Sequence, residues 1–205
     1  MRPLLALILL AAPALALAAD DGFSPLVTGT DPAQFELVGL GPEAVKVADG
    51  EVRLAGKPDG YFATKGSYQD FVLHFDFMYE RPAGLAAGAD FGGNSGLLVN
   101  IQGPAKVWPK CIEFQLQNQS VGQVIPVKGG KVDGHWDRAK ARKATKPVGE
   151  WNHMEVVSKG GAMTCTLNSV EVATATDANP DRGQIGWQSE GAAIRFRDLR
   201  IKAKD

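Results

Sequence analysis

Three polar side chains stand at every other position in the stretch CIEFQLQ: Glu113, Gln115 and Gln117. An extended strand sends alternate side chains to opposite faces. A carboxyl and two amides therefore share one face, while Ile112, Phe114 and Leu116 line the other. Amides pair with hydroxyls as donor and acceptor at once, and a carboxylate can take a proton. Such a face suits a sugar, and it is equally the pattern of a solvated face in an antiparallel sheet. Trp108, Trp136, Trp151 and Trp187 supply rings able to stack on sugar faces. In Trp151-Asn152 and Trp187-Gln188 an indole adjoins an amide in sequence.

Direct displacement at a glycosidic bond needs two carboxyls flanking it. Asp76 would serve only if its strand neighboured that of Glu113; Glu150 and Glu190 read as surface charges at strand edges or turns. His74 lies on the polar face of FVLHFDFMY, two residues from Asp76, and reads as a proton-transfer residue or as a half-exposed sheet residue. His135, beside Trp136 and Asp137, is placed to act in a lid, and His153 reads as structural. No H-x-x-x-H or C-x-x-C spacing occurs, which argues against zinc. Asp90, Asn94 and Asp133 offer oxygen ligands for calcium without a pattern that selects them. The cofactor stays open, a divalent metal ion being compatible. No G-x-S-x-G elbow, phosphate loop or dinucleotide fingerprint is present.

The elements that must position these groups read as strands. The chain has 205 residues. A basic start, the apolar run PLLALILLAAPALALA and the small residues Ala16-Leu17-Ala18 predict a signal peptide over residues 1–18, hence export to the periplasm or beyond. The run is short for a bilayer span, and no later segment is long and apolar enough. The rest, 19–205, suits one domain with a sizeable core. FVLHFDFMY puts Phe71, Leu73, Phe75, Phe77 and Tyr79 on one face. EVRLAG, SGLLVNI, HMEVVSK, AMTCTLN, VEVATA, QIGWQSE and AIRFRDLRIK behave similarly, each bounded by Gly, Pro, Asn or Asp. Asp49-Gly50 signals a tight hairpin. The alternation breaks near Asp198, which predicts a bulge. The longest irregular piece runs from about Lys128 to Pro147, and DRAKARKATK within it reads as a solvated loop or short helix. The pattern predicts an all-β sandwich or barrel. Net charge is −1 with no basic block, which makes nucleic acid a poor partner. Cys111 and Cys165 are the two cysteines, and their pairing is left open. The oligomeric state is unknown from sequence.

The order DGYFATKGSYQDFVLHFDF, GNSGLLVNI, CIEFQLQN, PVGEWNHMEVVSKGGAMTCTLNSVEV, GQIGWQSEGAAIRFRDLRIK resembles the 3-keto-disaccharide hydrolase family, whose members are also described as 3-keto-glucoside lyases and 3-keto-glucal hydratases. The resemblance covers about Phe35 to Lys202 and implies a concanavalin-like jelly-roll β-sandwich. The family often has Asn-Gly where this chain has Asn168-Ser169, Asp where it has Gln117-Asn118, and His where it has Glu190. The implied chemistry starts from a ketone at sugar C3, which acidifies the C2 proton. One base removes it, the C1 group leaves, and water adds back to give net hydrolysis. Glu113 is then the first candidate for base or metal ligand, with His135 and His74 as alternatives. Lys65 in ATKGSY would meet enolate charge. Asn94, Gln115, Asn152, Gln188 and His74 would bind a carbohydrate, and Trp151 would stack on a ring. The rival expectation is a non-catalytic carbohydrate-binding domain on the same scaffold. A third, an adhesion domain with a protein partner, would need a large exposed apolar patch.

Overall fold

The computed structural model describes residues 21–86, 89–178 and 182–204; the expected signal peptide lies outside them. Among the described residues the strands are β1 (Ser24–Pro25), β2 (Glu36–Val38), β3 (Val45–Ala48), β4 (Glu51–Leu54) and β5 (Gly60–Ala63). There follow β6 (Asp70–Tyr79), β7 (Gly96–Gln102), β8 (Lys110–Gln115), β9 (Val124–Val127) and β10 (Asp133–Trp136). One α-helix, α1 (Arg138–Ala144), precedes β11 (Asn152–Lys159), β12 (Ala162–Leu167), β13 (Val170–Thr176), β14 (Gln184–Ser189) and β15 (Ile194–Lys204). The larger sheet runs β10-β13-β12-β11-β6-β15-β4-β3, with β1 on β15; the smaller runs β2-β5-β14-β7-β8-β9. The two antiparallel sheets form a concanavalin-like jelly-roll sandwich.

Period-two patterning builds the core. Phe71, Leu73, Phe75, Phe77 and Tyr79 of β6 are all buried, while the residues between them are half-exposed. They meet the inward residues of the smaller sheet, Phe62, Leu97, Ile112, Phe114 and Trp187. Trp187 stacks on Phe62 at 5.1 Å between ring centroids and meets Phe75 edge-on at 5.9 Å.

The turns obey local chemistry. Asp49-Gly50 joins β3 to β4 with φ of 53° and 74°. Asn168-Ser169 joins β12 to β13 with φ of 48° and 69°. Both match the left-handed pairs that two-residue hairpins demand. The bulge at Asp198 is present: φ is 51° and the β15–β6 register shifts between Arg197 and Arg200. That extra residue lets Ile194, Phe196, Leu199 and Ile201 all reach the core.

The 128–147 piece is more ordered than its sequence suggests. Asp133–Trp136 pairs with β13 as an edge strand, and α1 follows. Asp137 caps the helix, its Oδ1 accepting from the Lys140 amide at 3.0 Å. Only Ala141 of its seven residues is buried, so no amphipathic period marks it. Cys111 and Cys165 are unbonded thiols in different clusters, one on the outer face of the smaller sheet and one between the sheets. Burial pushes both up to about 12.

Candidate functional site

Glu113, on β8, faces outward from the smaller sheet yet is only 7% exposed. Across the ladder Leu98 pairs with Glu113 and with Gly186, and Gly186 pairs with Ala63. One residue pair along, Gly96 lies opposite Gln115, and Gln188 lies opposite Tyr61. Glu113, Gln115, Gly96 and Gln188 therefore share the outer face of three adjacent strands. A Cβ on Gly96 would lie 2.3 Å from Gln188 Oε1 and 2.4 Å from Glu113 Oε1. Glycine is thus what leaves room for the carboxyl and the amide to meet above β7.

The motif NSG assembles this corner. Asn94 bridges β14's end at Glu190 and Gly191, and its side chain donates to the Glu190 carboxyl. Ser95, fully buried, donates from Oγ to the Gln188 carbonyl at 2.8 Å. Gly96 then provides the space. Gln188 Oε1, Asn94 Oδ1 and Ser189 Oγ are buried and unpartnered. Buried polar atoms usually find a partner; Ser189 follows Gln188 in the strand and so faces the other way, leaving Gln188 Oε1 and Asn94 Oδ1 as the pair available to a polyol at this corner.

The electrostatics single out Glu113. Burial first, and repulsion from Glu190 second, raise its carboxyl to about 7. Burial also raises Glu190, against the lowering effect of the Asn94 hydrogen bond, with Asp59 adding repulsion. Both carboxyls at this corner therefore resist ionisation, Glu113 the more strongly.

The face is not polar throughout. Val38, Tyr61, Ala63, Leu98, Ile101 and Cys111 form a separate apolar cluster on it. The 103–109 connection leaves the β7–β8 end of the sheet, yet the Val107 Cγ2 methyl lies 2.8 Å from where a Gly39 Cβ would stand, beside Gly60. The segment therefore straps the outer face from β7–β8 to the β2–β5 edge.

Of the residues expected at the site, Glu113, Gln115, Gln188 and Asn94 are brought together. Gln115 Oε1 accepts from the Gln117 amide at 2.8 Å, and Gln117, past the end of β8, accepts from Ser120 Oγ. Lys65 is exposed beyond β5, and β14 and β7 lie between β5 and β8, so it does not reach Glu113. His74 sits on the outer face of the larger sheet, its Nε2 2.7 Å from Glu155 Oε2. His135 is exposed on β10; its neighbour Trp136 turns inward to bond the Val121 carbonyl, so the imidazole points away from the core. Trp151 lies under Arg197 at 4.1 Å and Arg195 at 5.5 Å, again on the larger sheet. Asn152 is 4% exposed and structural: its Oδ1 accepts from the Lys146 amide and from Asn168 Nδ2, both at 2.8 Å. Asp76 is held by His153 Nδ1 at 2.8 Å and Arg197 Nε at 3.0 Å, on the wrong sheet to partner Glu113.

Two expectations fail on strand geometry itself. Neighbours in a strand face opposite ways, so Trp187 goes into the core while Gln188 goes to the site, and Trp151 and Asn152 diverge likewise. Glu190, read as a surface charge, is the residue that sequence reasoning missed. Counting by twos from Gln188 would have found it. Among the described residues no three His, Cys, Asp or Glu side chains converge as metal ligands, and no helix is long and apolar enough to cross a membrane.

The sequence matches the family model of the 3-keto-alpha-glucoside-1,2-lyase-like domain over residues 22–202. The fold is shared with several solved structures. A candidate glycosyl hydrolase of Parabacteroides distasonis ATCC 8503 is 21% identical, with a TM-score of 0.62 over 89% of this chain and 99% of that one. The carbohydrate binding module CBM66 of Bacillus subtilis is 15% identical, TM-score 0.55, covering 83% and 96%. The β-glucanase of Bacillus licheniformis is 10% identical, TM-score 0.53, covering 89% and 97%. A comparison with curated proteins gives no match.

Proposed function

We propose, from the premise that the chain belongs to the 3-keto-alpha-glucoside-1,2-lyase-like domain family, that it cleaves 3-keto-glycosides by elimination and hydration. The observation that carries this reading is the buried Glu113 carboxyl, raised to about 7 and set against Gln188 over Gly96. A base is most effective when its pKa lies near the working pH, and this carboxyl is half-ionised near neutrality. The ionised form takes the C2 proton of the bound keto-sugar. Charge then develops on the C3 oxygen, where the Gln188 amide and the Asn94 side chain are the available polar groups. The C1–O bond breaks as C1 and C2 become doubly bonded, and the departing oxygen takes the proton from Glu113. Water adds to C1, its proton passing to the ionised Glu113, and Glu113 then gives that proton to C2. The sum is hydrolysis. Lys65 takes no part in this route. The signal peptide expected over residues 1–18 supports a periplasmic or extracellular setting for this reaction.

The test is to incubate the purified protein with an aryl 3-keto-glucoside in deuterated buffer, with and without a divalent metal, and to follow aglycone release and deuterium at C2. Release with C2 exchange is the expected result, and Glu113→Gln should abolish both while sugar affinity stays broadly intact. A protein that binds the sugar without release or exchange is the non-catalytic binding domain instead.

A further inference from the structure

We infer that the 103–109 strap, together with the β9–β10 turn, forms a binding site for an acidic saccharide, separate from the Glu113 corner. The strap encloses a groove of about 580 Å³. Trp108 stands in it, 38% exposed, and the lining charges are Lys106, Lys110 and Lys128, with no acidic residue among them. The other tryptophans are committed: Trp187 is in the core, Trp136 bonds the Val121 carbonyl, and Trp151 lies under two arginines. Trp108 alone offers a free ring face.

The lysines are equally uncommitted. All three are exposed, and none forms an ion pair or side-chain hydrogen bond among the described residues. The chain as a whole carries a net charge of −1, so a groove ringed by three cations and no anion is a local feature. Lys128 has φ of 47°, in a turn closed by the Gly130 amide on the Val127 carbonyl at 2.9 Å. Glycine or asparagine is the usual tenant of such a position, and here a lysine is held there at the groove's edge. Val107 against Gly39 and buried Pro109 anchor the strap, so the ring and charges are presented on a fixed frame. An indole face selects a ring with an apolar side, and ammonium groups select carboxylate or sulfate on it. A uronate-bearing sugar has both. The inference holds whether or not Glu113 turns over a keto-sugar.

The experiment is a titration of the full protein with digalacturonic acid and with its dimethyl ester, read by Trp fluorescence and calorimetry at low salt. The acid should bind saturably, about tenfold more tightly than the ester, and weaken as salt screens the lysines. Trp108→Ala should abolish the fluorescence change and most of the binding. Lys106→Gln with Lys110→Gln should weaken it about tenfold, taking roughly threefold per exposed charge. Lys128→Asn removes the charge while keeping a residue that accepts the left-handed turn, and should cost about threefold. All are surface changes, and unaltered unfolding midpoints verify the fold. Equal binding of acid and ester, no binding of either, or indifference to Trp108→Ala would each overturn the inference, and none of these outcomes touches the keto-glycoside assay.

Discussion

The most direct test of the site is the pH dependence of stability with and without Glu113. Its carboxyl is raised from 4.5 to about 7, by burial and then by Glu190. The folded state therefore holds this proton more tightly than the unfolded chain does. Stability is fully present below the unfolded value and is lost as pH rises toward the folded one. Each tenfold in proton affinity is worth about 1.4 kcal/mol, so the loss between pH 4 and pH 8.5 is about 3 kcal/mol. For a chain of this length that corresponds to roughly 6–12 °C in Tm. Glu113→Gln keeps the shape and removes the titration. The assay is thermal unfolding of both proteins from pH 4 to pH 8.5, compared as a difference so that every group not coupled to Glu113 cancels. The wild type should lose about 3 kcal/mol more than the variant, with the change centred between pH 4.5 and 7. If the two curves run parallel, the carboxyl is solvated, and the argument for Glu113 as a base tuned to neutral pH fails with it. The same group predicts that kcat/KM on a 3-keto-glucoside rises through about pH 7 as Glu113 ionises; a fall there would assign it the opposite role.

Gly96→Ala should leave the fold intact, because the crowded atoms are the ends of the Glu113 and Gln188 side chains. It should cost about 1–3 kcal/mol and lower kcat/KM at least tenfold; unchanged turnover would show that the two side chains do not work together there. Ser169→Gly relieves a φ of 69° in the β12–β13 hairpin and should stabilise by about 1 kcal/mol, seen as a rise in the urea midpoint. Asp76 is lowered even though burial pulls it up, because hydrogen bonds from His153 and Arg197 outweigh that burial. Its contribution is present above the unfolded carboxylate value and lost as pH falls through the folded one. The Asp76→Asn variant should therefore show a flatter acid limb between pH 5 and pH 2, by about 1 kcal/mol at most for so exposed a pair.

Much of the fold was legible because its signals are local. Alternation in β6, the left-handed pair at Asp49-Gly50 and the bulge at Asp198 each depend on neighbours within a few residues. The helix α1 was legible only as one of two readings of DRAKARKATK, since one buried alanine in seven residues leaves no periodic trace to decide between loop and helix. Glu113 and Gln188 were marked by type and parity alone. Their meeting depends on β7 lying between β8 and β14 and on Gly96 standing in the gap. The same pairing order moved Lys65 away and brought Glu190 in.

The sequence by itself determined which residues face inward and outward on strands such as β6 and β8, the tight turn at Asp49-Gly50, and the family. Only the tertiary structure decided which outward faces share a surface. Facing direction follows from backbone geometry within one strand, whereas adjacency follows from pairing between strands far apart in the chain. That is why His74, His135 and Trp151, offered as site residues on their type alone, lie on the larger sheet and not beside Glu113.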